Sequence, residues 1–269
     1  MLRGDHMRYP ETLTAQQVQA YLARLEITGT VENDLNGLNR LLFAQLTHIP
    51  FDSLDVWGAG LCPSLKLEDI YEKIVGKGRG GYCFELNTLF RSLLNALGFD
   101  AYQAVAFILN SDGTPQPPAH NVILCNLNGT RYFLDVGYGG PVPYQALELK
   151  EGIQDGFWLK KDDIWYVHRI TEDGQRPLTA FRDVPVTVNE LIPLNFFISQ
   201  RPDSHFRHMI HLSKRNADGS IYALDGKEFK IHTTQGVTVR EITTIEEVKE
   251  IMSTYFSMNP SLVPLREKL

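Results

Sequence analysis

Cys83 is the residue of this chain best placed to do chemistry, because it lies between a glycine pair and the start of an amphipathic helix. Unpaired N–H groups and the positive end of the helix macrodipole favour a thiolate at the first turn. Gly80 and Gly81 leave room for another group to approach the sulfur. The alternative is a buried structural cysteine, since free cysteine is among the most buried residue types. Apolar residues at helical spacing, followed by Gly98, predict the helix: Leu86, Leu89, Phe90, Leu93, Leu94 and Leu97.

A β-hairpin predicts which residues could assist the thiol. The dipeptide Asn128-Gly129 between two apolar runs is a strong signal for a two-residue type I′ turn, which fixes the register of both strands. In that register His120 and Asp135 are diagonal neighbours on one face, with Cβ atoms somewhat under about 7–8 Å apart. Cys125 points to the opposite face, where we expect it to pack in the core.

Cysteine, histidine and carboxylate together form the set that thiol nucleophilic catalysis requires. Cys83 would attack as a thiolate, His120 would shuttle a proton, and Asp135 would fix the tautomer of the imidazole. Taken singly, His120 could be a histidine at the edge of a loop and Asp135 a carboxylate at the end of a strand. The predicted hairpin joins them, so the catalytic interpretation is favoured.

Two other motifs predict less. Residues 76–81 match a GxGxxG pattern, but the preceding residues have the period of a helix rather than a strand, which argues against a dinucleotide site. His205, His208 and His211 recur every three residues without a nearby carboxylate or cysteine pattern. We therefore expect solvated or hydrogen-bonding histidines there, and no metal site.

The composition restricts the partners and the compartment. The net charge of −6 over 269 residues gives no general attraction to nucleic acid or to an anionic membrane. No apolar run approaches the length that spans a membrane, and residues 1–10 lack the apolar core of a signal peptide. Three cysteines without a CxxC pair indicate a reducing environment. We expect a cytoplasmic protein.

The elements that must position these residues predict an α+β fold. Residues 1–98 are predicted as a helical bundle that carries the nucleophile, with helices around residues 18–25, 35–46 and 67–74 and from Cys83 onward. Residues 99–202 are predicted as a β-barrel that carries the histidine and the aspartate. Residues 203–269 contain three turn signals, which predict a meander of strands, and a final helix capped by Thr243 or Thr244, so they are predicted as a smaller α/β unit whose last ten residues form a tail.

Three segments resemble the arylamine N-acetyltransferase family: residues 79–87 (Arg-Gly-Gly-Tyr-Cys-Phe-Glu-Leu-Asn), residues 49–51 (Ile-Pro-Phe) followed by Leu54-Asp55, and residues 135–139 (Asp-Val-Gly-Tyr-Gly). The resemblance covers residues 21–206 and implies a helical bundle, a β-barrel and an α/β lid around a core like that of cysteine proteases. It implies that acetyl-CoA, as a co-substrate rather than a bound cofactor, acetylates Cys83, and that an arylamine or arylhydrazine accepts the acetyl group in xenobiotic metabolism. His120 and Asp135 would complete the triad.

The resemblance also implies substrate-binding and supporting residues. Phe51, Tyr82, Tyr138 and Gly139 match family positions beside the acceptor or coenzyme A, and Phe196 is added for its aromatic side chain near the proposed site. The chain departs from the family at Asp52, where a glutamate is usual, so we expect a structural ion pair of Arg79 with a carboxylate that is one methylene shorter. It also departs at His205, where a proline is usual, and acceptor preference is expected to change there.

The triad alone leaves alternatives open. An amide synthase of the same family, which uses an acyl carrier instead of acetyl-CoA, would have the same three residues. A papain-like thiol hydrolase would also have them, but it would admit water and a peptide groove. A ligand-binding module that keeps the fold without catalysis is disfavoured, because the Cys83, His120 and Asp135 set is intact. Turnover of acetyl-CoA would distinguish an arylamine N-acetyltransferase from these alternatives.

Overall fold

The computed structural model describes residues 12–269, and the first eleven residues of the predicted helical unit lie outside the described residues. The helices are α1 (Ala15–Arg24), α2 (Leu35–His48), α3 (Leu54–Ala59), α4 (Leu67–Tyr71), α5 (Cys83–Ala96), α6 (Val188–Gln200), α7 (His205–His208) and α8 (Ile245–Phe256). A π-helical turn, Glu72–Gly76, extends α4, and a 3₁₀ turn, Pro260–Leu262, follows α8.

The strands form two antiparallel sheets. Their bounds are β1 (Phe51–Asp52), β2 (Asp100–Ile108), β3 (His120–Leu127), β4 (Thr130–Leu134), β5 (Leu147–Glu148), β6 (Gly152–Gln154), β7 (Phe157–Lys161), β8 (Trp165–Thr171), β9 (Gly174–Phe181), β10 (His211–Arg215), β11 (Ile221–Asp225), β12 (Glu228–Thr233) and β13 (Gly236–Glu241). The fold is therefore α+β, as predicted.

The amino-terminal helices follow the sequence signals closely. Thr14 caps α1 in a capping box with Gln17, as its spacing predicts. Helix α5 begins at Cys83, and Gly98 follows it with φ of +92°, a left-handed conformation that glycine adopts without strain. The predicted apolar face of α5 packs in the largest core cluster, where Leu89, Phe90, Leu93 and Leu94 are completely buried.

The larger sheet has eight strands in the order β5-β4-β3-β2-β9-β8-β7-β6 and is nearly closed into a barrel. Its edge strands are joined by the Gln154 side chain, which accepts from the N–H of Glu148 at 2.9 Å and donates to the C=O of Glu148 at 2.9 Å. One face of the sheet encloses an apolar core that includes Val122 and Phe133. The opposite face, with Ile123 and Leu134, packs against the helices, so the barrel and α5 hold each other in place.

The smaller sheet has the order β1-β10-β11-β12-β13. Strands β10 to β13 form the predicted meander, and Thr244 caps α8 as predicted. The edge strand β1 comes from the amino-terminal third, and Phe51 pairs with Ser213 of β10. The carboxyl-terminal unit therefore recruits an amino-terminal strand, which no local sequence signal indicated.

Two segments differ from the sequence-based interpretation. Residues 188–200 lie in the predicted barrel region but form the helix α6. The last ten residues, read as a tail, pack against the protein: Val263 is buried, and the Arg266 guanidinium lies 5.0 Å from the Trp57 ring and donates to the C=O of Arg207 at 2.7 Å. In the described residues, no helix is both long enough and apolar enough to cross a membrane.

Candidate active site

Cys83 is the first residue of α5, and only 4% of its surface is exposed. The N–H of Tyr82, the residue before it, donates to the Glu85 carboxylate at 3.1 Å and so secures the first turn. Cys83 and His120 both line a space of about 730 Å³, which we call the main cavity. The start of α5 therefore presents the thiol to a space large enough for a small-molecule substrate.

Glycines permit the close contacts around Cys83, although not where the sequence suggested. A Cβ atom on Gly80 would lie 2.2 Å from the backbone oxygen of Pro50, so Gly80 lets β1 approach the turn rather than a group approach the sulfur. The glycine that fits against the cysteine is Gly137, where a Cβ atom would lie 2.6 Å from the Cα of Cys83. The loop after β4 is thereby pressed against the start of α5.

The hairpin brings His120 to Asp135 as its register predicts. Strands β3 and β4 pair from Leu127 and Thr130 to Ile123 and Leu134, with the turn at Asn128-Gly129. Asp135 follows directly after β4, and its Oδ2 lies 2.7 Å from Nε2 of His120. Both side chains are almost completely buried.

Electrostatics keep this imidazole charged over a wide pH range. Burial disfavours the charged ring, but the Asp135 carboxylate and the nearby Cys83 thiol outweigh it and raise the pKa of His120 to about 10. Because Nε2 is bound to Asp135, Nδ1 is the ring nitrogen left to exchange a proton with Cys83. The three predicted residues therefore lie together: Cys83 and His120 line the main cavity, and the buried Asp135 is bonded to the imidazole.

Asn87 holds this arrangement together and was not assigned from the sequence. Its Nδ2 donates to Oδ1 of Asp135 at 3.1 Å and to the C=O of Asn121 at 2.7 Å. Its Oδ1 accepts from the N–H of Val136 at 3.1 Å. The signal was its position four residues after Cys83, which places both side chains on one face of α5.

Three of the predicted substrate-binding residues, Phe51, Tyr138 and Gly139, line the main cavity. The Tyr138 ring stands edge-on to His120 at 6.1 Å, so it forms the wall nearest the proposed base. Tyr82 does not line this cavity: it is completely buried and packs edge-on, at 6.1 Å, against Phe206, which does. Tyr82 therefore supports the wall from behind.

The structure does not bring Phe196 to the main cavity. Its side chain is 63% exposed, and the next residue, Phe197, lines the cavity instead. The phase of α6 explains the difference, because Asn195, Ile198 and Ser199 occupy its buried face and turn Phe196 outward. The aromatic contribution of α6 to the main cavity comes from Phe197.

A buried charge network lies behind the Cys83 turn. The Arg79 guanidinium contacts Oδ2 of Asp52 at 2.9 Å through Nη2, which is the predicted ion pair, and Oδ1 of Asp55 at 2.7 Å through Nη1. Nζ of Lys73 bridges Asp55, at 2.7 Å, and Glu85, at 2.9 Å. Because Glu85 also binds the N–H of Tyr82, the network connects Arg79 to the first turn of α5.

The histidines at 205, 208 and 211 serve different contacts. His208 makes an exposed hydrogen bond to the C=O of Pro202 at 2.6 Å, whereas His211 bonds Asp225 and lies 3.2 Å from the C=O of Gly139. Burial and the neighbouring charge of His211 lower the pKa of His205. Within residues 12–269 no group of histidine, cysteine, aspartate and glutamate side chains could hold a metal ion.

Alkylation should distinguish Cys83 from the other two cysteines. Cys62 is exposed, while burial raises the pKa of the Cys125 thiol to about 12. We expect iodoacetamide at mildly acidic pH to modify Cys83 far faster than either, because only Cys83 has a charged imidazole beside it. Mass spectrometry of the digested protein measures the three rates. Equal rates, or a faster Cys62, would contradict an activated thiol, since access alone favours Cys62.

Comparison with known proteins gives the family. A sequence model of an N-acetyltransferase family matches residues 34–262. The arylamine N-acetyltransferase of Mycolicibacterium smegmatis is 28% identical over 230 residues, which cover 81% of this chain and 83% of that protein. That of Escherichia coli strain K12 is 27% identical over 250 residues, which cover 88% and 87%.

Solved structures agree with the sequences. The arylamine N-acetyltransferase of Mycobacterium marinum superimposes with a TM-score of 0.85 at 25% identity, covering 91% of this chain and 93% of that one. A structure of the M. marinum enzyme in complex with CoA gives a TM-score of 0.84 at 26% identity, with 91% and 93% covered. The chain belongs to the arylamine N-acetyltransferase family, whose members are acyltransferases.

Proposed function

We propose that this enzyme moves an acetyl group from acetyl-CoA to an arylamine or arylhydrazine through a thioester on Cys83. The observation that carries the proposal is that Cys83 and His120 line the main cavity together and that His120 is bonded to the buried Asp135. The family supports transfer to arylamines, and the M. marinum relative in complex with CoA supports a coenzyme A thioester as the donor.

The first half-reaction acetylates the enzyme. The Cys83 sulfur attacks the acetyl carbonyl, the bond from that carbon to the coenzyme sulfur breaks, and the departing thiolate takes a proton from His120. Asp135 holds the ring so that Nδ1 faces the sulfur, and Asn87 and Gly137 in turn fix the carboxylate.

The second half-reaction returns the enzyme to its starting state. The amine nitrogen attacks the thioester carbonyl, His120 accepts the proton that the nitrogen loses, and the bond to the Cys83 sulfur breaks. A transferase must protect this thioester from water. The small exposure of Cys83 and the aromatic wall formed by Phe51, Tyr138 and Phe206 favour that protection.

The proposed function also concerns cofactors, the carboxyl-terminal lid and the cellular compartment. The chemistry above uses no resident cofactor and no metal. In the proposed reaction, the smaller sheet and α8 act as the predicted lid over the main cavity, because Ser213 and Ala223 from that sheet line the cavity. All three cysteines are free, which is typical of a reducing compartment, so the proposed location is the cytoplasm.

An acetyl-enzyme experiment tests the function directly. Incubation with acetyl-CoA alone should add one acetyl group, which intact-mass analysis detects and peptide mapping assigns to Cys83. Addition of 4-aminobenzoate should then remove it as the acetylated amine, with ping-pong kinetics at steady state. The Cys62→Ser variant, which keeps the proposed nucleophile, should behave like the wild type.

Other outcomes would point to other mechanisms. Intersecting double-reciprocal lines without an isolable acetyl-enzyme would indicate a ternary complex. Rapid release of acetate whether or not an amine is present would favour a thiol hydrolase. Failure of acetyl-CoA to acetylate Cys83 while an acyl-carrier thioester does so would favour an amide synthase.

A further inference from the structure

The main cavity is basic although the chain is acidic. The net charge is −6, yet the described residues that line this cavity include three arginines, four histidines and a single carboxylate, Asp225. Asp225 is already bonded to His211. Positive charge in a concave site attracts anions, so the cavity is suited to a substrate that carries at least one negative group.

Arg169 on β8 and Arg176 on β9 are the cationic residues with the least compensation. They are directly opposite each other in the antiparallel pair, where like charges destabilise a sheet. Both line the main cavity, and among residues 12–269 neither guanidinium has a carboxylate within 4.0 Å. An anion between the two side chains would remove this repulsion.

A β-bulge sets the position of this pair. Val167 pairs with Thr179 and His168 with Pro177, so Leu178 is skipped in the ladder. Bulges bend a strand and re-aim side chains, and they are common beside active sites. If the register of Val167 and Thr179 continued without the bulge, Arg169 would lie opposite Pro177. The skipped residue instead places Arg169 opposite Arg176.

Arg176 lies on the side of the cavity near the proposed base. Burial and the Asp135 carboxylate raise the pKa of Tyr138 to about 12, and the charge of Arg176 opposes that shift. Tyr138 is the residue whose ring stands 6.1 Å from His120. An anionic group bound by Arg176 would thus belong to a molecule that also extends to the reacting atoms.

The third arginine of the cavity, Arg201, is already occupied by other contacts. Its guanidinium lies 4.8 Å from the centre of the Phe197 ring, and its Nε lies 3.7 Å from Oδ1 of Asp203. It contributes positive charge, but its geometry is fixed by these neighbours. The pair on β8 and β9 is free of such constraints.

We propose that Arg169 and Arg176 form an anion-binding subsite of the main cavity, which receives a phosphate or carboxylate group of a substrate. Two guanidinium groups can bind such a group through charge-assisted, bidentate hydrogen bonds. The subsite rests on the proposed acetyl transfer, because that reaction offers two sources of the anion. One source is a phosphate of the coenzyme in the first half-reaction, and the other is an acidic substituent of the arylamine in the second.

Substrate pairs that differ in charge test the subsite. The variants are Arg169→Gln and Arg176→Gln, with Arg182→Gln as the control because this exposed arginine at the end of β9 does not line the cavity. In the first half-reaction, kcat/KM for acetylation of Cys83 is measured with acetyl-CoA and with S-acetyl-N-acetylcysteamine, a thioester without phosphates. In the second, transfer from the acetyl-enzyme is measured to 4-aminobenzoate and to aniline.

Binding of a coenzyme phosphate predicts that each variant lowers kcat/KM for acetyl-CoA by about tenfold to a hundredfold while the phosphate-free thioester reacts as with the wild type. Binding of an acceptor carboxylate predicts a similar loss for 4-aminobenzoate relative to aniline. Either selective loss supports the subsite and identifies its source. The subsite is overturned if both ratios match those of the wild type and Arg182→Gln. Acetylation of Cys83 by either thioester upholds the proposed function in that case.

Discussion

We expect the Asp135→Asn variant to lose about 10³–10⁴-fold in turnover of acetyl-CoA with an arylamine, without loss of the fold. The Asp135 carboxylate accepts from Nε2 of His120, so whenever the ring is neutral its proton stays on Nε2 and Nδ1 is able to take a proton. An amide NH₂ group at the same place would donate to Nε2, and the ring proton would move to Nδ1. The imidazole would then carry its proton on the nitrogen that should act as the base.

The same variant should change the response to pH. Burial lowers the pKa of His120, but the Asp135 carboxylate and, to a smaller extent, the Cys83 thiol outweigh it and raise the pKa from 6.5 to about 10. A histidine with a raised pKa in the folded state contributes stability that is fully present below about 6.5 and lost as the pH rises through 10. Asparagine removes that contribution, and it also removes the carboxylate that keeps the ring charged, so the pKa of His120 should fall in the variant. We therefore expect alkylation of Cys83 by iodoacetamide to become strongly pH-dependent near neutrality in the variant and to remain flatter in the wild type.

A carboxylate elsewhere on the barrel provides the control. Asp183 accepts from the Tyr102 hydroxyl at 2.6 Å and pairs with Arg131, outside the main cavity. Asp183→Asn should keep near-normal turnover. If Asp135→Asn also turned over at a near-normal rate with an unchanged melting temperature, the assignment of Asp135 to the triad would be wrong.

The features of the site that are determined by adjacent residues could be predicted from the sequence. The apolar period after Cys83 is a local signal, and it located the start of α5 to the residue. The Asn128-Gly129 turn is equally local, and its geometry alone fixed which residues of β3 and β4 face each other. Both signals depend on a few adjacent residues, and the tertiary contacts of α5 and of the hairpin are consistent with them.

The parts that depend on packing between distant segments were not predictable in this way. Helix α6 was missed because polar Asn195 and Ser199 lie on its buried face, and because Pro193 is a residue that seldom occurs inside a helix. Without the phase of that helix, nothing in the sequence could choose Phe197 over Phe196. Strand β1 was missed because two residues carry no periodicity, and their partner Ser213 lies far along the chain.

The Arg79 network shows the same limit. The pairing of Arg79 with Asp52 was expected from family resemblance, but the roles of Asp55, Lys73 and Glu85 depend on how α3, the π-helical turn and α5 meet. Lys73 is the link in that network. Burial lowers the pKa of Lys73, but the charges of Glu85, Asp52 and Asp55 outweigh this effect and raise it. Lys73 therefore stays charged between Asp55 and Glu85.

We expect Arg79→Ala to destabilise the protein more than it affects the chemistry. The Arg79 side chain is only 5% exposed and the Asp52 side chain is completely buried, so removal of the guanidinium would leave an uncompensated carboxylate in the interior. Loss of one partner of a buried ion pair typically lowers the free energy of unfolding by about 3–5 kcal/mol. Arg79 does not line the main cavity, so the folded fraction should still form the acetyl-enzyme.

Urea unfolding and single-turnover acetylation at low temperature measure the two effects separately. The matched control is Arg240→Ala, because Arg240 also contacts two carboxylates, Glu247 and Glu250, but at the surface, with 41% of its side chain exposed. Exposed ion pairs contribute only about 0–1 kcal/mol, so this control should unfold at nearly the wild-type urea concentration. A variant Arg79→Ala that unfolded like the wild type but no longer acetylated Cys83 would contradict a structural role. That result would place Arg79 in the chemistry. A purely structural ion pair acts through stability, so its removal could not abolish acetylation while stability stays unchanged.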